Sequence, residues 1–224
     1  MAQELAHPFS QTYALCFSAL GHQFRREVQA TQMRAEASCA LAGEQGFAFF
    51  VAFGTVLRGW ALAEQGQSEA GIRQMHEGMA ACRSTGAEAD RPYFLALAAE
   101  AYGRGSRYDE GLAMLEEALA LVEQSEERYW EAEIHRLKGV LLLARSAEQQ
   151  MEGEACWHTA LAVARRQQAK SLELRAAMSL SRLWQRQGKG TEAHALLAPI
   201  YGWFTEGFDT ADLQEAKELL AALA

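Results

Sequence analysis

Few side chains in this chain are spaced for chemistry. Six histidines are scattered through 224 residues, and no HExxH run sets two imidazoles on one helix face around a zinc ion. Cys156 and His158 stand two apart, roughly 200° around a helix axis, and so do not share a metal. Glu131 and His135 lie one turn apart, where an i,i+4 surface pair is the common meaning. Gly103–Arg104–Gly105 has the look of a phosphate cradle, but no strand or lysine–serine pair accompanies it, and it reads as an interhelical turn. Cys16, Cys39, Cys82 and Cys156 have no paired spacing, which argues against a disulfide framework or zinc ribbon and leaves buried, reduced thiols. No catalytic residue, cofactor site or metal site is assigned, and the chain is not read as an enzyme.

Charge narrows the partners. A net charge of -8 argues against a general nucleic-acid binder, which needs a basic surface to displace counterions. The charge is unevenly spread. Residues 109–133 hold nine acidic residues against Arg128, and residues 165–190 hold seven basic ones against Glu173. These blocks are either solvated helix faces or an acidic and a basic patch that dock copies of the chain into a homo-oligomer. No apolar run approaches the ~20 residues that span a bilayer, and Met1–Ser10 has neither a basic start nor an apolar signal core. The expectation is a cytoplasmic protein with no membrane partner.

What positions these residues is a repeat. Residues 95–121, LALAAEAYGRGSRYDEGLAMLEEALAL, read as a helix, a tight turn and a second helix. Its small residues recur along the chain. Ala30, Gly71, Gly111, Gly153 and Ala193 form one track, separated by 41, 40, 42 and 40 residues. Ser18, Gly59, Ala99, Gly139 and Ser181 precede them, and Ala37, Gly78, Ala118 and Ala160 follow, until Ile200 breaks the series. Periods of this size mean stacked supersecondary units. Six of these glycines fall inside helices, at a cost of roughly 5–6 kcal/mol relative to alanine, and close helix packing is the available offset.

Taken in order, a first helix opens near Pro8 and its partner spans about Glu27 to Ala42, ended by Gly43 and Gly46. The second unit starts with an aromatic run, turns at Gln65–Gln67 and closes at Gly86; its Phe53, Val56 and Trp60 belong either to core or to an inner groove. Pro92 restarts the third unit. Ser125 caps the fourth, which has two extra residues in its turn, and Pro199 is expected to kink the second helix of the fifth. Residues 211–223 read as an amphipathic end helix. The expected organisation is one domain over 1–224, with units at about 8–45, 46–86, 87–124, 125–168 and 169–205 and a cap helix at 210–223.

Ala99, Tyr102, Gly111, Leu115 and Ala118 stand at the small and large sites of a tetratricopeptide repeat, which the unit resembles. It departs from that pattern in its longer period, in Leu95 at the early aromatic site, and in lacking the proline after most second helices. The resemblance implies an all-α fold: a right-handed α-α superhelix, a TPR-like solenoid of five helix hairpins plus a C-terminal capping helix. A closer likeness, carried by GWALAEQGQ (59–67), RPYFLALAAEAYG (91–103), RRQQAKSLELRAAMSLSRLWQRQGK (165–189) and LLAPIYGWFTEGFDTADLQEAKELL (196–220), is to the C-terminal repeat arm of bacterial signalling proteins. Those join a nucleotide cyclase or kinase to a STAND-type ATPase. Without a GxxxxGK[ST] loop or a cyclase motif, this implies a sensing or partner-binding arm and no catalysis.

Stacked hairpins make a concave surface lined by first helices. Projected onto it are His22, Gln23, Glu64, Glu100, Arg104, Arg136, Arg182 and Arg186, beside Phe53, Trp60 and Tyr93. The surface drifts from acidic and aromatic to basic. An extended peptide or acidic segment is expected near Arg136, Arg182 and Arg186, which equally read as solvated arginines. The function expected is a non-catalytic protein- or peptide-binding scaffold; the alternatives are a small-molecule-sensing repeat domain and a self-association module.

Overall fold

The computed structural model describes residues 7–223; the first six residues of the Met1–Ser10 stretch, and residue 224 of the expected domain, lie outside the described residues. The described residues form eleven α-helices and no strand. In chain order these are α1 (Pro8–Phe24), α2 (Val28–Gln45), α3 (Ala48–Glu64), α4 (Ser68–Ser84), α5 (Arg91–Arg104) and α6 (Tyr108–Ser125). They continue as α7 (Glu131–Arg145), α8 (Gln150–Arg166), α9 (Lys170–Arg186), α10 (Gly190–Tyr201) and α11 (Ala211–Leu223).

The boundaries follow from local chemistry. Pro8 opens α1, with the His7 ring accepting from the Ser10 N–H. Within hairpins a left-handed residue turns the chain at Arg26, Gly66, Ser106 and Gly188; between hairpins Gly46, Gly86, Glu126 and Gln168 do the same. The Gln67 N–H then reaches back to the Leu62 carbonyl at 3.0 Å, and that of Lys189 to Trp184 at 2.8 Å, satisfying carbonyls a helix end leaves open. The α7–α8 turn differs. Ser146 is extended there, accepts from the Glu148 N–H, and leads into a 3-10 turn at Ala147–Gln149 that absorbs the two extra residues.

The chain divides into two compact units, Met1–Gly111 and Leu112–Ala224, with the division inside α6. In the first, α1 packs on α2 and α3, and α3 on α4 and α5. In the second, α7 packs on α8 and α9, and α9 on α10 and α11. Helices of a hairpin touch backbone to backbone at the small residues. A Cβ on Gly59 would sit 2.8 Å from the Gly71 carbonyl oxygen, and one on Gly71 would strike that of Gly59. Gly139 and Gly153 repeat the pair at 2.7 and 3.0 Å. In the fifth hairpin the Ser181 hydroxyl donates across the same gap to the Ala193 carbonyl at 3.2 Å.

Several expectations shift. In the first hairpin the buried small residues are Ala19, Thr31 and Ser38, each forty residues before Gly59, Gly71 and Gly78, whereas Ala37 is exposed. Their hydroxyls are satisfied by the backbone, Thr31 by Glu27 and Ser38 by Thr12, so they fill the gap as glycine does. Ser125 ends α6 by bonding the Leu121 carbonyl and caps no following helix. Gly43 lies inside α2, which Gly46 ends at φ 73. Pro199 precedes the end of α10 by two residues. Helix α11 packs on α9 and α10 as α9 packs on α7 and α8, taking the place of a sixth first helix.

These contacts separate two kinds of glycine. Gly59→Ala forces apart two backbones and is expected to lower stability by about 1–3 kcal/mol despite alanine's better helix propensity. Gly43→Ala, with nothing within 4 Å of its new methyl, is expected to add roughly 0.5–1 kcal/mol. Urea titrations of both variants check the contrast.

Candidate functional site

One register, projected from sequence onto a concave surface, recurs along the first helices. It holds Phe53 and Trp60 on α3 and Tyr93 and Glu100 on α5, and forty or forty-two residues further Glu133 and Val140 on α7 and Arg175 and Arg182 on α9. The two units fill it differently.

In the first unit the inner face is packed shut. Gln23, Phe53, Trp60 and Tyr93 are all buried, where the sequence projected them onto an exposed groove surface. The Tyr93 hydroxyl of α5 donates to Gln23 Oε1 of α1 at 2.6 Å, with the Phe24 ring edge-on to Tyr93 and the Phe53 ring edge-on to Phe94. Aromatic volume brings α1 and α5 together. The polar members sit at helix ends: Trp60 Nε1 donates to Glu100 at 3.0 Å, and Arg104 lies 2.5 Å from Glu64 and 3.7 Å from Glu100. Burial, and next the Glu100 carboxylate, push the Glu64 carboxyl up to about 7 against the pull of Arg104. His22 pairs with Glu27 at 2.5 Å.

In the second unit the same register carries charge. The Arg175 side chain, 9% exposed, donates from Nε to Asp212 on α11 at 2.7 Å and from Nη1 to Glu133 on α7 at 3.4 Å. Arg136 closes on Glu133 from the other side through two bonds of 2.8 and 2.7 Å. A buried ladder of alternating sign thus joins α7, α9 and α11. Beside it opens a groove of about 1110 Å³ lined from all three helices. Its lining includes the aliphatic Val140, Leu143 and Leu219, with Trp157 from α8. Arg136, Arg182 and Arg186 all line it, so the three arginines projected from sequence meet at one place. They are not equivalent there. Arg182 bonds Glu215 of α11 at 2.8 Å, and Arg136 is held by Glu133. Arg186 is exposed and has no carboxylate partner among the described residues.

Glu133 and Arg175 were missing from the projected set, although they stand 40 and 82 residues after Tyr93, counting from sequence positions. Their pairing also explains the uneven charge. Glu173 is held by Arg165 at 2.8 Å and by Lys170 at 2.7 Å; burial raises its carboxyl, but these two bonds outweigh it and leave it below the usual carboxylate range. Glu131 contacts Arg128 at 3.4 Å and Arg166 at 3.5 Å, so arginines rather than His135 hold it in hydrogen-bonded contact. Much of the acidic block and the basic block is therefore spent within the second unit. All four cysteines are free, and burial pushes the Cys16 thiol up to about 12. Among the described residues no group of three His, Cys, Asp or Glu could hold a metal ion, and no helix is long and apolar enough to cross a membrane.

No protein-family model matches the chain. It is 25% identical over 179 residues to an uncharacterized protein of Rhizobium meliloti (strain 1021); the match takes 80% of this chain and spans 17% of the length of that relative. Two crystal structures of a Podosopora anserina protein described as a kinesin light chain with nearly identical TPR-like repeats share its fold. Their TM-scores are 0.58 and 0.56 at 18% and 16% identity, over 88% and 97% of this chain and 95% and 98% of theirs. The fold class is thus all-α, a tetratricopeptide-like solenoid of helix hairpins.

Two measurements test the contrast between the faces. Arg175→Ala takes a buried ion-pair partner from both Glu133 and Asp212 and is expected to cost about 3–5 kcal/mol, while Arg175→Met with Asp212→Leu recovers most of it. Glu64 works in the opposite sense. Its carboxyl binds protons more tightly folded than unfolded, so stability is highest below its ordinary pKa of 4.5 and falls as pH rises toward about 7. Denaturant midpoints between pH 4.5 and 8 are expected to show a fall of about 1–3 kcal/mol that Glu64→Gln removes.

Proposed function

We propose that this chain is a non-catalytic protein-binding scaffold whose groove between α7, α9 and α11 holds a short peptide. An apolar peptide side chain rests against Val140, Leu143 and Leu219, and a carboxylate, from an acidic residue, meets Arg186. The observation that carries this reading is the exposed Arg186 guanidinium, which has no carboxylate partner among the described residues, in the lining of a groove whose other arginines are already paired. A guanidinium recognises a carboxylate through two parallel bonds, and such a pair fixes the register of a bound segment.

Size favours a peptide over a metabolite. The groove's 1110 Å³ lies above the ~300–1,000 Å³ of most small-molecule pockets, and it is open along three helices. Self-association through the two charged blocks is disfavoured because Arg165, Arg166, Lys170, Arg175 and Arg182 already meet carboxylates of their own unit. In a larger setting we read the scaffold as the cytoplasmic sensing or partner-binding arm of a bacterial signalling ATPase or cyclase. The repeat-arm resemblance supports that reading, as does a relative of which this chain matches a minor part.

A random peptide library displayed on phage and panned on the full chain tests the groove. Enrichment of sequences pairing an apolar residue with an acidic one is expected, with affinity falling about tenfold or more for Arg186→Glu and for Val140→Arg. Peptides that bind all three proteins equally would refute the assignment.

A further inference from the structure

Helix α1 is built unlike a solvated helix. From Pro8 to Phe24 it contains no aspartate, glutamate, lysine or arginine, and Phe9, Tyr13 and Phe17 are 48%, 48% and 40% exposed. Ala14 and Gly21 are exposed next to these rings, and a Cβ built on Gly21 would meet nothing within 4 Å.

The repeat register says what belongs on this face. Tyr13, Ala14, Phe17 and Gly21 correspond, forty residues on, to Phe53, Gly54, Leu57 and Ala61 of α3, all buried. They correspond on α9 to Arg175, Ala176, Ser179 and Leu183, again all buried, and the matching positions of α5 and α7 are buried as well. On α3 the ring of Phe53 meets the first helices on either side, Phe17 of α1 and Phe94 of α5, whereas Gly54 is covered by the second helix of the hairpin before it. A Cβ on Gly54 would strike Cys39 Sγ at 2.6 Å and the Ala35 carbonyl oxygen at 3.2 Å, both on α2. Helix α4 packs likewise on α5, and α8 on α9. Four positions that are buried on α3, α5, α7 and α9 are exposed on α1, where Tyr13 and Phe17 meet the α3 rings Phe50 and Phe53 on one side, and they keep the composition of a covered face.

We propose that this face of α1 is a docking surface for another helical hairpin of the same forty-residue class, whose second helix offers small side chains as α2 offers Ala35 and Cys39. Bulk on the ring side and space at Ala14 and Gly21 match a helix that lies close at its small residues. A second copy of the chain is the poorer occupant. Its α2, α4, α8 and α10 are each already seated on the first-type helix that follows.

The test is the full chain carrying an additional copy of residues 8–47 inserted directly ahead of Pro8, so that a second α2 is offered to α1 with the spacing it has before α3. Hydrogen exchange of the amides from Tyr13 to Gly21 in the receiving helix is expected to slow at least tenfold. The same insertion with Ala14→Arg and Gly21→Arg in the receiving helix is expected to show no slowing, whereas those substitutions leave the melting temperature of the uninserted chain unchanged. Unslowed exchange in the inserted chain would overturn the proposal. So would a dimer of the uninserted chain, seen by sedimentation and abolished by Phe17→Glu, which would assign the face to a second copy.

Discussion

Two helix backbones can touch only where no side chain stands between them, and the hairpins α3–α4, α7–α8 and α9–α10 are arranged around that condition. Gly59 against Gly71 and Gly139 against Gly153 set each carbonyl oxygen where the opposing residue has no room for a Cβ, and Ser181 with Ala193 meets the same condition through a hydroxyl that bonds instead of bumping. Once a hairpin is locked at that distance, its two helices cannot rotate independently. A residue's place in the forty-residue period then fixes whether it faces its partner helix, the neighbouring hairpin or the inner surface. Burial becomes a property of register, and the glycines' entropic penalty is offset where several residues gain a defined face at once.

Within that frame the inner register is free to vary, and the two units use it in opposite ways. Phe53 and Tyr93 supply ring area, and the hydrophobic gain grows with the apolar surface taken out of water. The first unit therefore closes over its own inner face. Glu133 and Arg175, at equivalent positions, supply charge instead. A buried ion pair gains little net free energy after desolvation, but it has directional demands that rings lack. Arg175 must meet Asp212 and Glu133 together, which holds α7, α9 and α11 in one arrangement. A side chain already committed at both ends does not collapse into the space beside it, and a groove persists there.

How much of this was legible in the sequence depends on what distinguishes neighbouring positions. The period, the hairpins and the glycine pairs were legible because glycine inside a helix has few other reasons to be there. In the first hairpin the period slipped by one residue, because Ser18, Ala30 and Ala37 are as small as Ala19, Thr31 and Ser38. Size alone does not say which of two adjacent small residues is buried; the backbone bonds of Thr31 and Ser38 decide it. The buried ladder was missed for a different reason. Charged residues read as solvated when taken singly, and Glu133 and Arg175 become intelligible only when set in register forty-two residues apart, where opposite charges meet. Ser125 has a cap's chemistry, but its hydroxyl turned back to Leu121.

The same accounting bears on what the groove can recognise. Arg136 and Arg182 would have to give up Glu133 and Glu215 to take a ligand carboxylate, and exchanging one carboxylate for another gains little. A partner's acidic residue gains most at Arg186, which gives up only water. One exposed guanidinium supplies orientation rather than much affinity, so the greater part of the binding energy has to come from apolar surface laid against Val140, Leu143 and Leu219. A segment that was acidic throughout would forgo that surface and meet Glu215 and Glu218 on the α11 side. The groove therefore selects for mixed character, with apolar residues for strength and one carboxylate for placement, and it discriminates against the polyacidic segment that the basic stretch from 165 to 190 would suggest on charge alone.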